Sequence, residues 1–395
     1  MKKILVVNAG SSSLKWAFYS YDQLELFANG LCERITEPMG KVIIKYGNGQ
    51  KFEKEVVLPN HTVAVQELLT SWKELKLIDS LDDISAIGFR TPYSGHDFLS
   101  PVVYSPEVKK GIEEAAKFIP LHAPATLAAI AGFEVHLPEV VKIIAQDTAF
   151  HTTIPTVNAT FPINKKWAAK FNIKKFGYHG LSHNYIAEKA KEILSVPKPN
   201  VVVAHLGSGS SICAVKNGES VDVTVGFSSF DGLPMGTRCG GIDPGITDYL
   251  TRIEGQSQDE VFNMLVKKSG LLGVSGVSND VRDLHAVYDT NPDAKLALDI
   301  FVARIVDYVA MYLNKVGKPD ALIFTAGIGE NDEIIRQRVI DGLSLFNFEL
   351  DQEANLAKYD DFKLISTADS KIPVYKVRTN EEIVIARYVK QLLNH

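Results

Sequence analysis

Two arginines, a histidine and two carboxylates occupy positions where charge calls for an explanation. Arg238 lies in Met235-Gly236-Thr237-Arg238-Cys239-Gly240-Gly241, so an arginine that reads as buried is flanked by glycines. Arg90 directly follows the apolar run Ile84–Phe89, and His179 sits between two glycines in Gly177-Tyr178-His179-Gly180-Leu181-Ser182-His183. Asp147 closes Ile143-Ile144-Ala145-Gln146-Asp147, and Glu381 follows Val374-Tyr375-Lys376-Val377 after Arg378-Thr379-Asn380, so each reads as a carboxylate at a strand end. A phosphoryl group in transfer spreads charge over three equatorial oxygens, and planar guanidinium groups stabilise that charge well. A loop imidazole can donate to a phosphoryl oxygen or cap the helix that follows it. Strand-end carboxylates can hold Mg²⁺ through water or align a nucleophile, and each can equally be a helix cap or a solvated turn. Arg90 taken alone reads first as a salt-bridge partner. His183 is spaced as a helix residue with a structural role.

Gly/Ser turns are the second set. Glycine lacks a Cβ and tolerates positive φ, so backbone N–H groups can approach an anion closely, and serine hydroxyls add donors. Such turns occur at Gly10–Ser13, Gly207–Ser211, Gly236–Gly241 and Gly327–Asn331, and all but the third directly follow an apolar, strand-like run. Lys15 adds a point charge beside the first, suited to a phosphate. One such turn is weak evidence, since hairpins need the same residues; several in one chain are stronger. The turn Gly327-Ile328-Gly329-Glu330-Asn331 precedes a helical stretch, where a nucleotide phosphate or ribose would meet a helix N-terminus. It lacks the third glycine of the dinucleotide fingerprint. The chain has no GxxxxGK[S/T], no HExxH and no GxSxG, which excludes P-loop, zinc-protease and nucleophile-elbow chemistry of the common kinds.

Strands and helices must position these groups. Ile4–Val7, Val141–Ala145, Val201–Ala204 and Ala321–Phe324 read as buried strands. Leu298, Phe301, Ile305, Val309, Tyr312 and Val316 recur at helical spacing, with Asn291-Pro292-Asp293 as the start and Gly317 as the stop; this stripe is core packing. The segments Ile4–Lys15 and Val201–Ile212 look like copies of one unit: strand, polar residue, Gly/Ser turn, strand restart. Asn8 and His205 mark the same place in each, half a chain apart. A gene duplication giving two α/β domains with a ligand cleft between them fits this pattern, with chance likeness of Gly/Ser hairpins as the competing reading. The 395 residues also exceed what one core usually serves. A net charge of −5 disfavours nucleic acid or an anionic membrane as the main partner. Cys32, Cys213 and Cys239 lie far apart without a CxxC pair, which reads as reduced thiols in a reducing, cytoplasmic setting. The N-terminal apolar run is too short for a signal peptide, and no stretch approaches the length of a membrane span.

Several motifs, in order along nearly the whole chain, resemble the acetate and short-chain acid kinase family. They are Asn8-Ala9-Gly10-Ser11-Ser12-Ser13-Leu14-Lys15, Asp147-Thr148-Ala149-Phe150-His151, Phe176-Gly177-Tyr178-His179-Gly180-Leu181-Ser182-His183, Met235-Gly236-Thr237-Arg238, Phe324-Thr325-Ala326-Gly327-Ile328-Gly329-Glu330-Asn331 and Thr379-Asn380-Glu381-Glu382. The resemblance implies the duplicated, ribonuclease-H-like fold of actin, Hsp70 and sugar kinases. The first domain would span residues 1–147, completed by a C-terminal helix at 383–395, and a nucleotide-binding domain would span 148–382. It implies ATP with Mg²⁺ or Mn²⁺ as cofactors, a short carboxylate such as acetate as substrate, and a homodimer. By position, Asn8 and Glu381 would hold the metal. Lys15, the turn His205-Leu206-Gly207-Ser208-Gly209, Asp280-Val281-Arg282 and Gly327–Asn331 would bind ATP. Arg90 would bind the substrate carboxylate, Asp147 would be the catalytic carboxylate, and His179 and Arg238 would stabilise the transition state of a reversible in-line transfer giving acetyl phosphate. Departures concentrate in the expected acid pocket of Pro92, Leu121, Tyr178 and Ser229, where a proline becomes Ser229 and a phenylalanine Tyr178. The pocket is more polar than the family's, so propionate or another short acid is the alternative substrate. A non-catalytic actin-like nucleotide-binding protein would have no need of Arg90, Arg238 and His179 together.

Overall fold

The computed structural model describes residues 1–116 and 123–394. The chain divides into two compact units, one of Met1–Ala149 with Asn380–His395, the other of Phe150–Thr379.

The first unit is built on β1 (Lys3–Gly10), β2 (Ser13–Ser20), β3 (Leu26–Glu33), β4 (Gly40–Tyr46), β5 (Gln50–Val56), β6 (Ile84–Thr91), β7 (Val102–Val103) and β8 (Val141–Gln146). They form one sheet in the order β5-β4-β3-β2-β1-β6-β8-β7. β1 and β2 are joined by the tight turn Ser11-Ser12, with Gly10 opposite Ser13. β1, β6 and β8 run parallel. Parallel strands are covered on both faces, which is why Ile4–Val7 and Ile143–Ala145 are unbroken apolar runs. On one face Trp16, Phe18 and Trp72 of the helix His61–Glu74 pack edge to face, with ring centroids 4.6–5.3 Å apart. On the other face the helix Glu381–Leu393 lies on β1 and β6. It comes close because residue 88 has no side chain: a Cβ there would stand 2.5 Å from Ile385 Cγ2 and 2.7 Å from Val389 Cγ2.

The second unit repeats the plan with β9 (Val201–His205), β10 (Ser211–Lys216), β11 (Glu219–Val223), β12 (Ala321–Thr325), β13 (Phe362–Leu364) and β14 (Val374–Val377), in the order β11-β10-β9-β12-β14-β13. The five strands β3-β2-β1-β6-β8 and the five strands β11-β10-β9-β12-β14 follow one scheme. In each, an antiparallel meander is followed by two strands parallel to its first. The two similar sequence segments are the first hairpin of each sheet, so the fold is the duplicated α/β arrangement. The helical stripe forms the helix Pro292–Val316, where the Asn291 side chain accepts from the N–H groups of Asp293 and Ala294 and Gly317 ends it at φ 87°.

Two local expectations change. Gly327–Asn331 is not an open turn but most of a short helix, Ala326–Asn331, entered through Ala326 at φ 65°. Glu330 reaches back to accept the Ala326 N–H at 3.0 Å, and a side chain doing the work of a cap is not visible in glycine content. Glu381 does not end a strand: β14 stops at Val377, and Glu381 opens the helix Glu381–Leu393 of the first unit, capped by Asn380. Cys32 and Cys213 are buried free thiols, both pushed up to about 12 by burial, and Cys239 is half-buried and free. No described helix is long and apolar enough to cross a membrane.

Because Gly88 sets the distance between the strand carrying Arg90 and the helix carrying Glu381, Gly88→Val should overpack that contact. The expected loss is about 1–3 kcal/mol of stability, read as a lower urea midpoint, with activity falling alongside it.

Candidate active site

The carboxyl ends of parallel strands are where ligands of open α/β sheets gather. In the first unit Asn8 and Arg90 follow the paired residues Val7 and Phe89, and Asp147 follows Gln146, which pairs with Thr91. The Asp147 N–H donates to Thr91 O at 2.9 Å, fixing the carboxylate beside the guanidinium. Arg90 then forks onto it, Nε to Oδ1 at 2.9 Å and Nη2 to Oδ2 at 2.8 Å. Its remaining Nη1 lies 3.6 Å from Glu381 Oε2, an ion-pair distance longer than a hydrogen bond. Burial opposes the charge of Arg90, but Asp147 and Glu381 outweigh it and hold Arg90 above the usual arginine range. Burial also pushes Glu381 above the usual carboxylate range; Asp147 and Glu382 push the same way, and Arg90 and Lys15 offset them in part. One guanidinium thus serves two carboxylates, and the edge keeps surplus negative charge.

That surplus suits a cation. No three His, Cys, Asp or Glu side chains converge into a metal cage among the described residues. Mg²⁺ needs none, since it keeps several waters and takes one or two carboxylates together with substrate phosphates. Asn8, Asp147 and Glu381 are oxygen donors of that kind at one sheet edge. Lys15, opposite Asn8 in the β1–β2 register, forms an ion pair with Glu382 and lines a cavity of about 500 Å³ within the first unit. Pro92 is half-buried just past β6, and Leu121 lies outside the described residues.

In the second unit the Arg238 turn closes on itself, the Met235 N–H donating to Arg238 O at 3.0 Å. It is tied to the Gly207–Ser211 loop by the Gly236 N–H on Ser208 O at 3.2 Å. A Cβ on Gly209 would stand 3.1 Å from His179 Nε2 and 3.8 Å from Arg238 Nη1, so glycine lets an imidazole and a guanidinium converge on one piece of backbone. Arg238 Nη1 donates to Ser229 O at 2.8 Å and approaches Met235 Sδ at 3.4 Å. Among the described residues no carboxylate pairs with Arg238, and burial lowers its proton affinity with nothing to offset the effect. A partly desolvated cation without a counter-ion is a receptor for an anion.

His179 holds the N-cap position of the helix Gly180–Leu194 in the left-handed region, φ 56°, yet its side chain makes no capping bond. The ring instead places Nδ1 2.9 Å from Ser211 Oγ and stacks on His205 with centroids 4.4 Å apart. His183 is buried inside that helix. Tyr178 is also buried, its hydroxyl donating to Phe227 O at 2.9 Å.

A cavity of about 690 Å³, the size of a small-molecule pocket, opens in the same unit. Gly207, Ser208, Asp280, Val281 and Arg282 line one side of it, and Gly327, Ile328 and Asn331 another. His205, Leu206, Gly209, Gly329 and Glu330 do not line it. Leu206 O accepts the N–H groups of Ile328 and Gly329 at 2.8 and 3.0 Å, and the His205 Nδ1 is bonded to Ser182 Oγ at 2.8 Å. Leu206 thereby holds Ile328, which does line it, from behind. Asp280 caps the short helix Val281–Ala286 and pairs with Arg282 at 2.6 Å. His285 and Asp332, paired at 2.9 Å, also line the cavity, and no local motif announces them. Both are ordinary helix and cap residues by type, and only the fold brings them together.

Two carboxylates around one arginine, a second arginine with no counter-ion among the described residues and a glycine-rimmed cavity are the equipment of a phosphoryl-transfer protein. The acetokinase family model matches residues 3–387. An acetate kinase from Mycoplasmopsis pulmonis is 41 % identical over 392 residues, 99 % of each chain. Among solved structures, Porphyromonas gingivalis acetate kinase superposes with a TM-score of 0.89 at 35 % identity, covering 100 % of both chains. A propionate kinase from Francisella tularensis does so at 0.91 and 38 %, covering 98 % of this chain and 99 % of that one. The chain belongs to the acetokinase family.

The raised proton affinity of Glu381 has a testable sign. A carboxylate whose folded pKa exceeds its unfolded value stabilises the fold least once pH has risen through the folded value. Glu381→Gln should therefore raise the urea midpoint at pH 8 and leave it nearly unchanged at pH 4. The same variant should lose metal-dependent activity.

Proposed function

We propose that this chain is an ATP-dependent acetate kinase, transferring the γ-phosphoryl group reversibly and in line to a short carboxylate to give an acyl phosphate and ADP. The observation that carries this reading is Arg238, a cation without a carboxylate partner among the described residues, held with His179 against Gly209. Charge on the equatorial oxygens is what such a pair would stabilise. The substrate carboxylate is already ionised at neutral pH, so no base is required. Asp147, locked by both arms of the Arg90 fork, aligns rather than accepts a proton. Arg90 Nη1 is the arm left to meet the acid. Asn8 and Glu381 would hold Mg²⁺, which when bound offsets the charge of the nucleotide phosphates. Lys15, Asp280–Arg282, the loop bearing Gly207–Gly209 and the short helix that holds Gly327–Asn331 would take ATP. The altered residues Tyr178 and Ser229 are the ones expected to tune the choice of acid.

Propionate is the second reading, favoured by the altered residues Tyr178 and Ser229 and by the likeness to a propionate kinase. One methylene in such a pocket is worth about 1–3 kcal/mol, so the preference will be a ratio rather than an exclusion. We also infer a cytoplasmic homodimer. Its support is a run of exposed apolar side chains in the second unit, Ile242, Ile246, Tyr249 and Ile253.

A panel of formate, acetate, propionate, butyrate and glycolate with ATP and Mg²⁺ should give acetate the highest kcat/KM, with propionate within about two orders of magnitude. Activity on none of them would end the kinase reading. Arg238→Ala should lower kcat about 10²–10³-fold while ATP affinity stays within a few-fold. In light scattering the wild type should have twice the chain mass, and Tyr249→Glu with Ile253→Glu should halve it.

A further inference from the structure

We infer that His183 is a positioning residue that, through Ser211, fixes the proton of His179 on Nε2; this rests on the reading of His179 as a group that donates to the transferring phosphoryl.

Ser211 Oγ lies 2.8 Å from His183 Nε2 and 2.9 Å from His179 Nδ1. A hydroxyl has a single proton, so it cannot donate to both rings. His183 decides which ring receives it. Its side chain is fully buried and its Nδ1 has no partner among the described residues. Burial, with His151 and His205 acting in the same direction, holds His183 well below the usual imidazole range, so the ring is neutral and carries one N–H. Placed on Nδ1, that proton would be a buried donor with nothing to bond. Placed on Nε2, it points at Ser211 Oγ. Stranded buried N–H groups are the rarer defect, so Nε2 carries the proton.

The rest follows by elimination. Ser211 accepts from His183, its own proton goes to His179 Nδ1, and His179 must carry its proton on Nε2. That nitrogen faces the Gly209 backbone, on the side where Arg238 Nη1 also arrives. A second N–H on His179 Nδ1 would turn the Ser211 proton away from its only acceptor among the described residues, so the ring is kept as a neutral, single-donor imidazole. His205, stacked on His179 at 4.4 Å, supports the ring plane, and its own Nδ1 is taken by Ser182. The donor presented to the anion is thereby set by a residue that does not touch it.

Selective ¹⁵N-histidine labelling reads the tautomer directly, with the His179 signals assigned by their loss in His179→Gln. The wild type should show His179 protonated at Nε2 only. In Ser211→Ala and in His183→Leu the ring should exchange between both tautomers, whereas His183→Gln, which keeps an N–H donor for Ser211, should retain the Nε2 form. In parallel, Ser211→Ala and His183→Leu should lower kcat about tenfold or more with KM for ATP within about twofold, and His183→Gln should recover most of the loss. A wild-type spectrum with the His179 proton on Nδ1 overturns the inference whatever the Ser211 and His183 variants do. So does a tautomer that Ser211→Ala leaves unchanged. The expected tautomers with an unaltered kcat in Ser211→Ala would leave the relay standing and remove His179 from phosphoryl transfer.

Discussion

Charge left unneutralised is the constraint on which the structure turns. Among the described residues Arg238 has no carboxylate partner, and the Arg90 edge has one guanidinium for two carboxylates. Either arrangement costs stability, because a desolvated charge without a partner is held against its tendency to find one. Only surroundings that cannot relax keep it so. In the second unit these are a turn closed on its own backbone and a glycine that admits no side chain. In the first they are a strand and a helix in contact at Gly88. Rigid scaffolds that hold groups short of neutrality are the physical content of preorganisation, since the ligand completes the charge balance the fold leaves open.

The scaffold was largely legible in the sequence, for a definite reason. A parallel strand is buried on both faces, so Ile4–Val7, Val201–Ala204 and Ala321–Phe324 must be apolar throughout and stand out. The long helix was equally plain, because a stripe at helical spacing between an Asn-Pro start and a glycine stop has few other solutions. What misled was glycine. Gly327 and Gly329 suggested an open loop, but Glu330 caps the Ala326 N–H and the segment winds into a helix. Glu381 misled differently: its strand ends earlier, and the residue belongs to the helix that closes the other unit.

The site was legible as a list of residue types but not as a set of partnerships. Arg90, Asp147, His179 and Arg238 could each be named from local context. That Arg90 spends two arms on Asp147, that His179 turns from the helix it caps towards Ser211, and that His285 meets Asp332 are contacts between residues far apart in sequence. No local pattern encodes them. His183 is the sharpest case. Helical spacing correctly marks it as an interior helix residue, and nothing in that spacing distinguishes an inert histidine from one whose hydrogen bond orients another.

Duplication offers a reason for this division of labour. Two copies of one five-strand scheme give two carboxyl edges, and the edges carry different charged side chains. The first joins β1 to β2 by the minimal turn Ser11-Ser12 and carries Asp147 with Glu381 near Arg90. The second opens the equivalent connection into the longer loop Leu206–Ser210, enough backbone to line a cavity, and carries Arg238 without a carboxylate. On a single edge these charges would neutralise one another, as Arg90 and Asp147 already do. Kept on separate copies of the fold, an excess of carboxylate suited to a metal and an uncompensated guanidinium suited to a phosphoryl group can each persist. Phosphoryl transfer needs both a cation-binding and an anion-binding group, and one fold used twice offers two edges on which they can be built.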